Sequence, residues 1–263
     1  MSKLKVVVAT VATVAATVIG TSTAYGIVGG APTTTSKYPF IVVVGDHCTG
    51  TLVSPTKVVT NAQCVIYRET DGLQVTAGRS DLDDKNGTVR DVKSAWIPPS
   101  YADYSTSDGK VPVPHGDVAV LTLAQPMPRA YTPIGIVPST FVYRAGGGAT
   151  VLGYGATVTD QKNPDGRLRA AQVPMTSNAS CKKAYPDAGA FDPSVMTCAG
   201  KPTGGVGTCD RDGGAPLLVA DGRKTLLAGV NSWSGLGCAK ANSPDVYTKL
   251  TAFSKELAAQ INS

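Results

Sequence analysis

Residues 40–44, 52–53, 57–60, 73–76, 118–122, 149–152 and 226–230 are short runs rich in Val, Ile, Leu and Thr, set between turn-forming residues. β-Branched side chains pack well on a pleated surface, and short runs of them between turn residues read as strands. Their number predicts an all-β chain, an antiparallel barrel or sandwich. Residues 136–145 read as a crossover between two halves. The tail changes period, because Leu250, Phe253, Leu257, Ala258 and Ile261 recur at helical spacing. This predicts an amphipathic α-helix over 248–261, docked on the barrel surface.

The first residues follow neither pattern. Lys3 and Lys5 precede an apolar run over 6–19 that is rich in Val, Ala and Thr. A bilayer span needs about 20 residues, so this shorter run fits the apolar core of a signal peptide. Cleavage after Gly26 releases Ile27 directly; cleavage after Ala24 leaves a propeptide of Tyr25 and Gly26. Residues 1–26 are therefore expected to be removed, and 27–263 to be secreted, soluble and free of a membrane anchor. The formal charge is +5, and Lys3 and Lys5 leave with the leader. The remaining basic residues are scattered, which reads as a solvated mixed surface rather than a nucleic-acid or polyanion patch. Six cysteines in an exported chain imply three disulfides, for which spacing alone allows fifteen connectivities. The only histidines are His47 and His115, and no Cys-x-x-Cys pair occurs. No metal site or cofactor is expected on that basis.

Five separated segments carry a more specific message. They are Ile27-Val28-Gly29-Gly30; Cys48 to Val53 followed by Val59-Thr60-Asn61-Ala62-Gln63-Cys64; Gly116 to Leu121; Val206 to Pro216; and Ser232-Trp233-Ser234 with residues 243–249. In order and spacing they resemble the chymotrypsin/trypsin family of serine proteases across essentially all of 27–263. The resemblance implies two six-stranded antiparallel Greek-key β-barrels, roughly 27–135 and 146–247, with the cleft between them and a helix at 248–261. It also implies disulfides Cys48–Cys64, Cys181–Cys198 and Cys209–Cys238. Each closes a loop worth about 3 kcal/mol in the chain-entropy model.

The departures from the family pattern bear on function. Acyl transfer of this type needs a hydroxyl nucleophile, an imidazole base and a carboxylate that orients the base. Gln63 stands at the histidine position, and an amide has no titratable proton near neutral pH, so it cannot take one from a nucleophile and return it to a leaving amine. Gly213 stands at the serine position, so only Asp117 of the triad remains. Loss of such a triad costs roughly a millionfold in turnover. Arg211 occupies the glycine position of the oxyanion hole, where a Cβ is expected to reorient the peptide and a guanidinium to occupy or gate the cleft. His47 and His115 do not sit where a base is needed. Asp212 matches the carboxylate that pairs with the ammonium of the mature N-terminus, which Ile27 would supply.

The specificity pocket is altered as well. Gly207 replaces the aspartate that trypsins carry at its base, Thr208 follows, and Ser232, Trp233, Ser234 and Asp245 form its walls. Asp245 either accepts a Lys or Arg side chain or fills the pocket itself. The expectation is a secreted, monomeric, non-enzymatic protease homologue that binds a protein partner through the degenerate cleft, as an inhibitor or decoy would. A trypsin-like endopeptidase with residual activity and a carbohydrate- or polyanion-binding module are the alternatives.

Overall fold

The structure is a computed structural model that describes residues 26–46, 48–66, 70, 72–105, 112–187, 189–235 and 237–263. Residues 1–25 of the expected leader and His47 lie outside the described residues. The strands of the first half are β1 (Ala31–Pro32), β2 (Ile41–Val44), β3 (Cys48–Ser54), β4 (Lys57–Thr60), β5 (Gln74–Ala77), β6 (Thr88–Trp96), β7 (Ala102–Ser105), β8 (Pro112–His115) and β9 (Ala119–Leu123). Those of the second are β10 (Gly148–Gly153), β11 (Arg169–Thr176), β12 (Met196–Ala199), β13 (Pro216–Asp221), β14 (Lys224–Trp233) and β15 (Asp245–Lys249). Two α-helices, α1 (Asn178–Ala184) and α2 (Ser254–Ile261), complete the regular elements.

Strands β2, β3, β4, β9, β6 and β5 pair in that order and close into an antiparallel barrel. In β2 and β4 every residue is buried. One face lines the barrel interior and the other is covered, so the sequence shows a continuous apolar run instead of alternation. Gly50 on β3 is required by packing, because a Cβ there would press on the side chains of Val58, Val44 and Val42. The second barrel runs β11, β10, β13, β14, β15, β12 and closes through β12 onto β11. Its interior holds Val151, Val173, Met175, Leu217, Ala228 and Tyr247. Leu152, Leu168, Leu218, Leu227, Val230 and Leu250 join the apolar cluster of the first barrel, so the two barrels share one core at their junction. The all-β, two-barrel architecture expected from the sequence is what the chain adopts.

Three boundaries differ from the sequence expectation. Ala31 and Pro32 pair with Ala170 and Arg169 of β11, so the segment after Ile27 belongs to the second barrel rather than the first. The second barrel extends to Lys249, two residues past the expected boundary at 247. The C-terminal helix does not begin at 248. Thr248 and Lys249 are strand, residues Leu250–Phe253 form a 3-10 turn, and only Ser254–Ile261 is α-helical. Burial explains this: Val246, Tyr247 and Thr248 pair with both β12 and β14 in the core, and that pairing overrides a weak helical preference. His115 is the last residue of strand β8. The disulfides are Cys48–Cys64, Cys181–Cys198 and Cys209–Cys238. No helix among the described residues is long and apolar enough to cross a membrane.

Leu121 of β9 is completely buried in the shared core, whereas Val142 is largely exposed. Leu121→Ala should therefore lower unfolding free energy by about 2–5 kcal/mol, and Val142→Ala should change it by less than about 0.5 kcal/mol. Urea midpoints at constant m-value test this. A Leu121→Ala midpoint equal to that of the unmodified chain would contradict the packing described.

Candidate functional site

The candidate site lies where turns from both barrels meet. Strand β4 ends at Thr60 and runs through Asn61 into a 3-10 turn, Ala62–Cys64, which the Cys48–Cys64 bridge ties to β3. After β8, Gly116 adopts a positive φ of 65° that a residue with a Cβ would resist, and this turn delivers Asp117 to the junction. From the second barrel come the segment between β12 and β13, the end of β14 at Trp233, and the start of β15 at Asp245.

Asp117 is fully buried. Its Oδ1 accepts from the Gln63 backbone N–H at 3.0 Å, and its Oδ2 from Gln63 Nε2 at 2.7 Å and Ser232 Oγ at 2.5 Å. Asn61 Nδ2 lies 3.4 Å from the same Oδ2. Burial pushes the Asp117 carboxyl above its usual range, and the hydrogen bonds from Ser232 and Gln63 oppose that shift. Gln63 Nε2 also donates to the Ser232 carbonyl at 3.1 Å. Both amide hydrogens of Gln63 thus go to acceptors, which fixes which end of the amide faces Asp117. The arrangement orients a side chain toward the cleft, but that side chain has no titratable group near neutral pH.

Gly213 faces this group from the other barrel. Its carbonyl accepts from Thr49 N at 2.9 Å, which fastens the loop to β3. A Cβ built on Gly213 meets nothing nearer than Asn61 Nδ2 at 3.4 Å, so the backbone would admit a side chain. Arg211 does not reorient the loop as expected. It takes up φ of 71°, the left-handed conformation that glycine favours, and its guanidinium donates to the Lys162 carbonyl at 3.3 Å. It lines a cavity of about 220 Å³ with Thr49, Asp83, Tyr154 and Asp165. A non-glycine residue held there costs on the order of 1 kcal/mol or more.

Asp212 is fully buried; Oδ1 accepts from Gly155 N at 2.9 Å and Oδ2 from Cys209 N at 3.0 Å. A Cβ on Gly153 or Gly155 would collide with this carboxylate, so two glycines make its recess. Ile27 is buried beside it, since the same Cβ on Gly153 would also touch Ile27 Cδ1 at 3.0 Å. Asp245 is buried, with Oδ2 accepting from Thr208 N at 2.7 Å, while Oδ1 accepts from no donor among the described residues. A Cβ on Gly207 would come within 2.7 Å of that Oδ2, so the Asp245 carboxylate takes the room that a side chain on residue 207 would need. Thr208 Oγ1 accepts from Asn231 Nδ2 at 2.9 Å. Ser232, Trp233 and Ser234 form the adjoining wall, with the Trp233 ring against Tyr185 at 4.7 Å. His115 Nε2 is bonded to the Gly189 carbonyl at 2.6 Å, outside this group. Sequence reasoning gave Asn61 no role although it lies within a matched segment, and it passed over Gly153 and Gly155, which lie outside the matched segments.

The trypsin family model matches residues 27–257. The chain belongs to the trypsin family. A trypsin of Saccharopolyspora erythraea is 37% identical over 243 residues, covering 90% of this chain and 99% of that protein. A trypsin-like protease of Streptomyces glaucescens is 32% identical, with 88% and 81% covered. A vitellin-degrading protease of Bombyx mori is 35% identical, with 86% and 82% covered.

Burial raises the carboxyl of Asp212 to about 8 and that of Asp245 to about 7. In the unfolded chain both ionise near their ordinary value of 3.8. Because the folded state holds these protons more tightly, their contribution to stability is complete below about pH 4 and is lost as pH rises toward 7–8. With residue 26 still joined to Ile27, the urea midpoint should fall across that window. Asp212→Asn should flatten the fall. A midpoint that is constant or rises from pH 4 to 8 would contradict the burial of these carboxyls without a cation.

Proposed function

We propose that this chain is an exported, non-catalytic member of the trypsin family that acts by binding a protein partner through its cleft. The observation that carries the reading is the pairing of Asp117 with Gln63: the amide donates at 2.7 Å where an imidazole would have to exchange a proton. Gly213 opposite supplies no nucleophile. Three disulfides support export, since such bonds persist in oxidising compartments.

Asp212 and Ile27 belong to the same reading. Once residue 26 is removed, the new Ile27 ammonium would pair with the buried carboxylate and hold the 207–216 segment in shape without serving catalysis. Buried pairs of this kind cost about 3–5 kcal/mol when one partner is lost.

Three observations favour a second reading, residual endopeptidase activity. The cradle of Asp117 is complete, Arg211 keeps a glycine-like φ, and the relatives above carry protease names. The two readings separate in a sensitive assay on casein and on Arg and Lys esters. The binding reading predicts the same background rate for the unmodified chain and for Asp117→Ala. Turnover that survives purification and disappears in Asp117→Ala would establish the second reading. For the partner, Asp245→Arg should abolish capture of a protein from the culture medium by the immobilised chain. Capture unaffected by that variant would place binding outside the cleft.

A further inference from the structure

Asn86-Gly87 is the only Asn-Gly step in the chain. It ends the loop over residues 78–87 that joins β5 to β6, directly before the Ala77–Thr88 pair of the ladder. The fold demands the glycine. Gly87 has φ of 103°, and a Cβ on it would lie 2.4 Å from the Ala77 carbonyl oxygen. Residue 87 therefore presents a backbone nitrogen that no side chain shields. Both residues are exposed, and the Gly87 N–H donates to no described residue.

The neighbours act on the same peptide unit. Arg79 Nε donates to the Asn86 carbonyl at 2.8 Å. A cation bonded to that oxygen favours the anion left when the adjoining Gly87 N–H loses its proton. Asn86 N is held by Asp84 Oδ1 at 2.9 Å, and this bond is the chief reason the Asp84 carboxyl lies below its usual range. Other asparagines lack the combination. Asn61 and Asn231 are buried, and Asn163 precedes a proline, which has no N–H. The nitrogen after Asn242 is already bonded to the Lys240 carbonyl at 3.2 Å.

We propose that Asn86 is a site of spontaneous deamidation in the folded chain. Hydroxide takes the Gly87 amide proton, and the nitrogen attacks Asn86 Cγ. The bond from Cγ to the side-chain nitrogen breaks, and ammonia leaves with a proton from water, which regenerates the hydroxide. One water then opens the succinimide that joins residues 86 and 87. Attack at Cγ gives aspartate, and attack at the main-chain carbonyl gives isoaspartate. Either product sets a new carboxylate beside Asp84, where like charges repel. Isoaspartate also lengthens the backbone next to the Ala77–Thr88 pair. The loop borders the cleft: Leu82 N donates to the Gly166 carbonyl at 3.0 Å, Arg167 Nε lies 3.2 Å from Asp81 Oδ2, and Leu82 and Asp83 line the cavity beside Arg211. Conversion loosens this hold on the second barrel, whether or not the cleft is catalytic.

The test incubates the folded full chain at neutral and at mildly alkaline pH, followed by peptide mapping and an isoaspartyl methyltransferase assay. The peptide holding residue 86 should gain the mass of an NH2-to-OH exchange, with isoaspartate as the major product, and faster as hydroxide rises. Asn86→Gln, which would need a six-membered ring, should show no gain over the same period. Arg79→Gln should slow conversion several-fold. In the converted fraction, separated by anion exchange, the Leu82 amide should exchange hydrogen faster than in the unconverted one. A residue 86 that stays unconverted in the folded chain but converts in urea would overturn the proposal, because the fold would then protect the site. An undiminished rate in Arg79→Gln would overturn the role given to that cation, and unchanged exchange at Leu82 would overturn the loosening of the loop.

Discussion

A carboxylate sealed between two barrels has to be satisfied from both of them, and Asp117 is placed so that it is. The first barrel supplies the Gln63 backbone and side-chain amides, and the second supplies the Ser232 hydroxyl. The Thr248 hydroxyl donates to the Asp117 carbonyl at 2.6 Å from the same side. An isolated buried carboxylate costs far more than a single hydrogen bond returns, so these donors act as a unit that fixes the relative placement of the two barrels. The cleft then follows as the gap between segments that converge on this group. Gln63 matters here as a structural donor. It keeps the carboxylate satisfied at the position where the family pattern has a histidine.

The rest of the cleft consists of side chains and glycines that fit one another. Gly207 leaves room for the Asp245 carboxylate, and Gly153 and Gly155 leave room for Asp212. Cys209–Cys238 and the Thr49–Gly213 hydrogen bond pin the loop that carries Arg211. Arg211 keeps a left-handed backbone at some cost in strain while its guanidinium reaches Lys162. The loop keeps its shape because its neighbours over-determine it, and Arg211 conforms to them. What these neighbours hold in place is a set of oriented dipoles around buried carboxylates.

Much of this was legible in the sequence, and the failures have physical causes. The Val- and Ile-rich runs marked strands because both faces of those strands are buried and apolar residues fill both. The five matched segments placed Asp117, Gln63, Gly213, Asp212 and Asp245 before any coordinates. The pairing of Ala31 with Ala170 was not legible, since it joins distant segments and a two-residue strand leaves no periodic signature. The spacing of Leu250 and Phe253 suggested one helix from 248, but it arises from a 3-10 turn following a buried strand. Short helix α1 begins at a Ser177 cap with few apolar positions to betray it. Backbone effects were hardest to foresee: the expectation that a Cβ at Arg211 would turn the peptide overlooked how firmly the loop is held. Asn61 stood within a matched segment without a role, and its contact with Asp117 is visible only once the fold brings the two together.

The central claim is that the frame of a hydrolase persists while its reactive groups are missing. Covalent labelling by a fluorophosphonate, which requires an activated serine hydroxyl, tests this most directly when applied to the unmodified chain and to a Gln63→His, Gly213→Ser, Arg211→Gly variant. Mass spectrometry should find the unmodified chain unlabelled and the triple variant labelled at position 213. Labelling of the unmodified chain at any residue of the cleft would contradict the claim, as would a folded triple variant that never reacts.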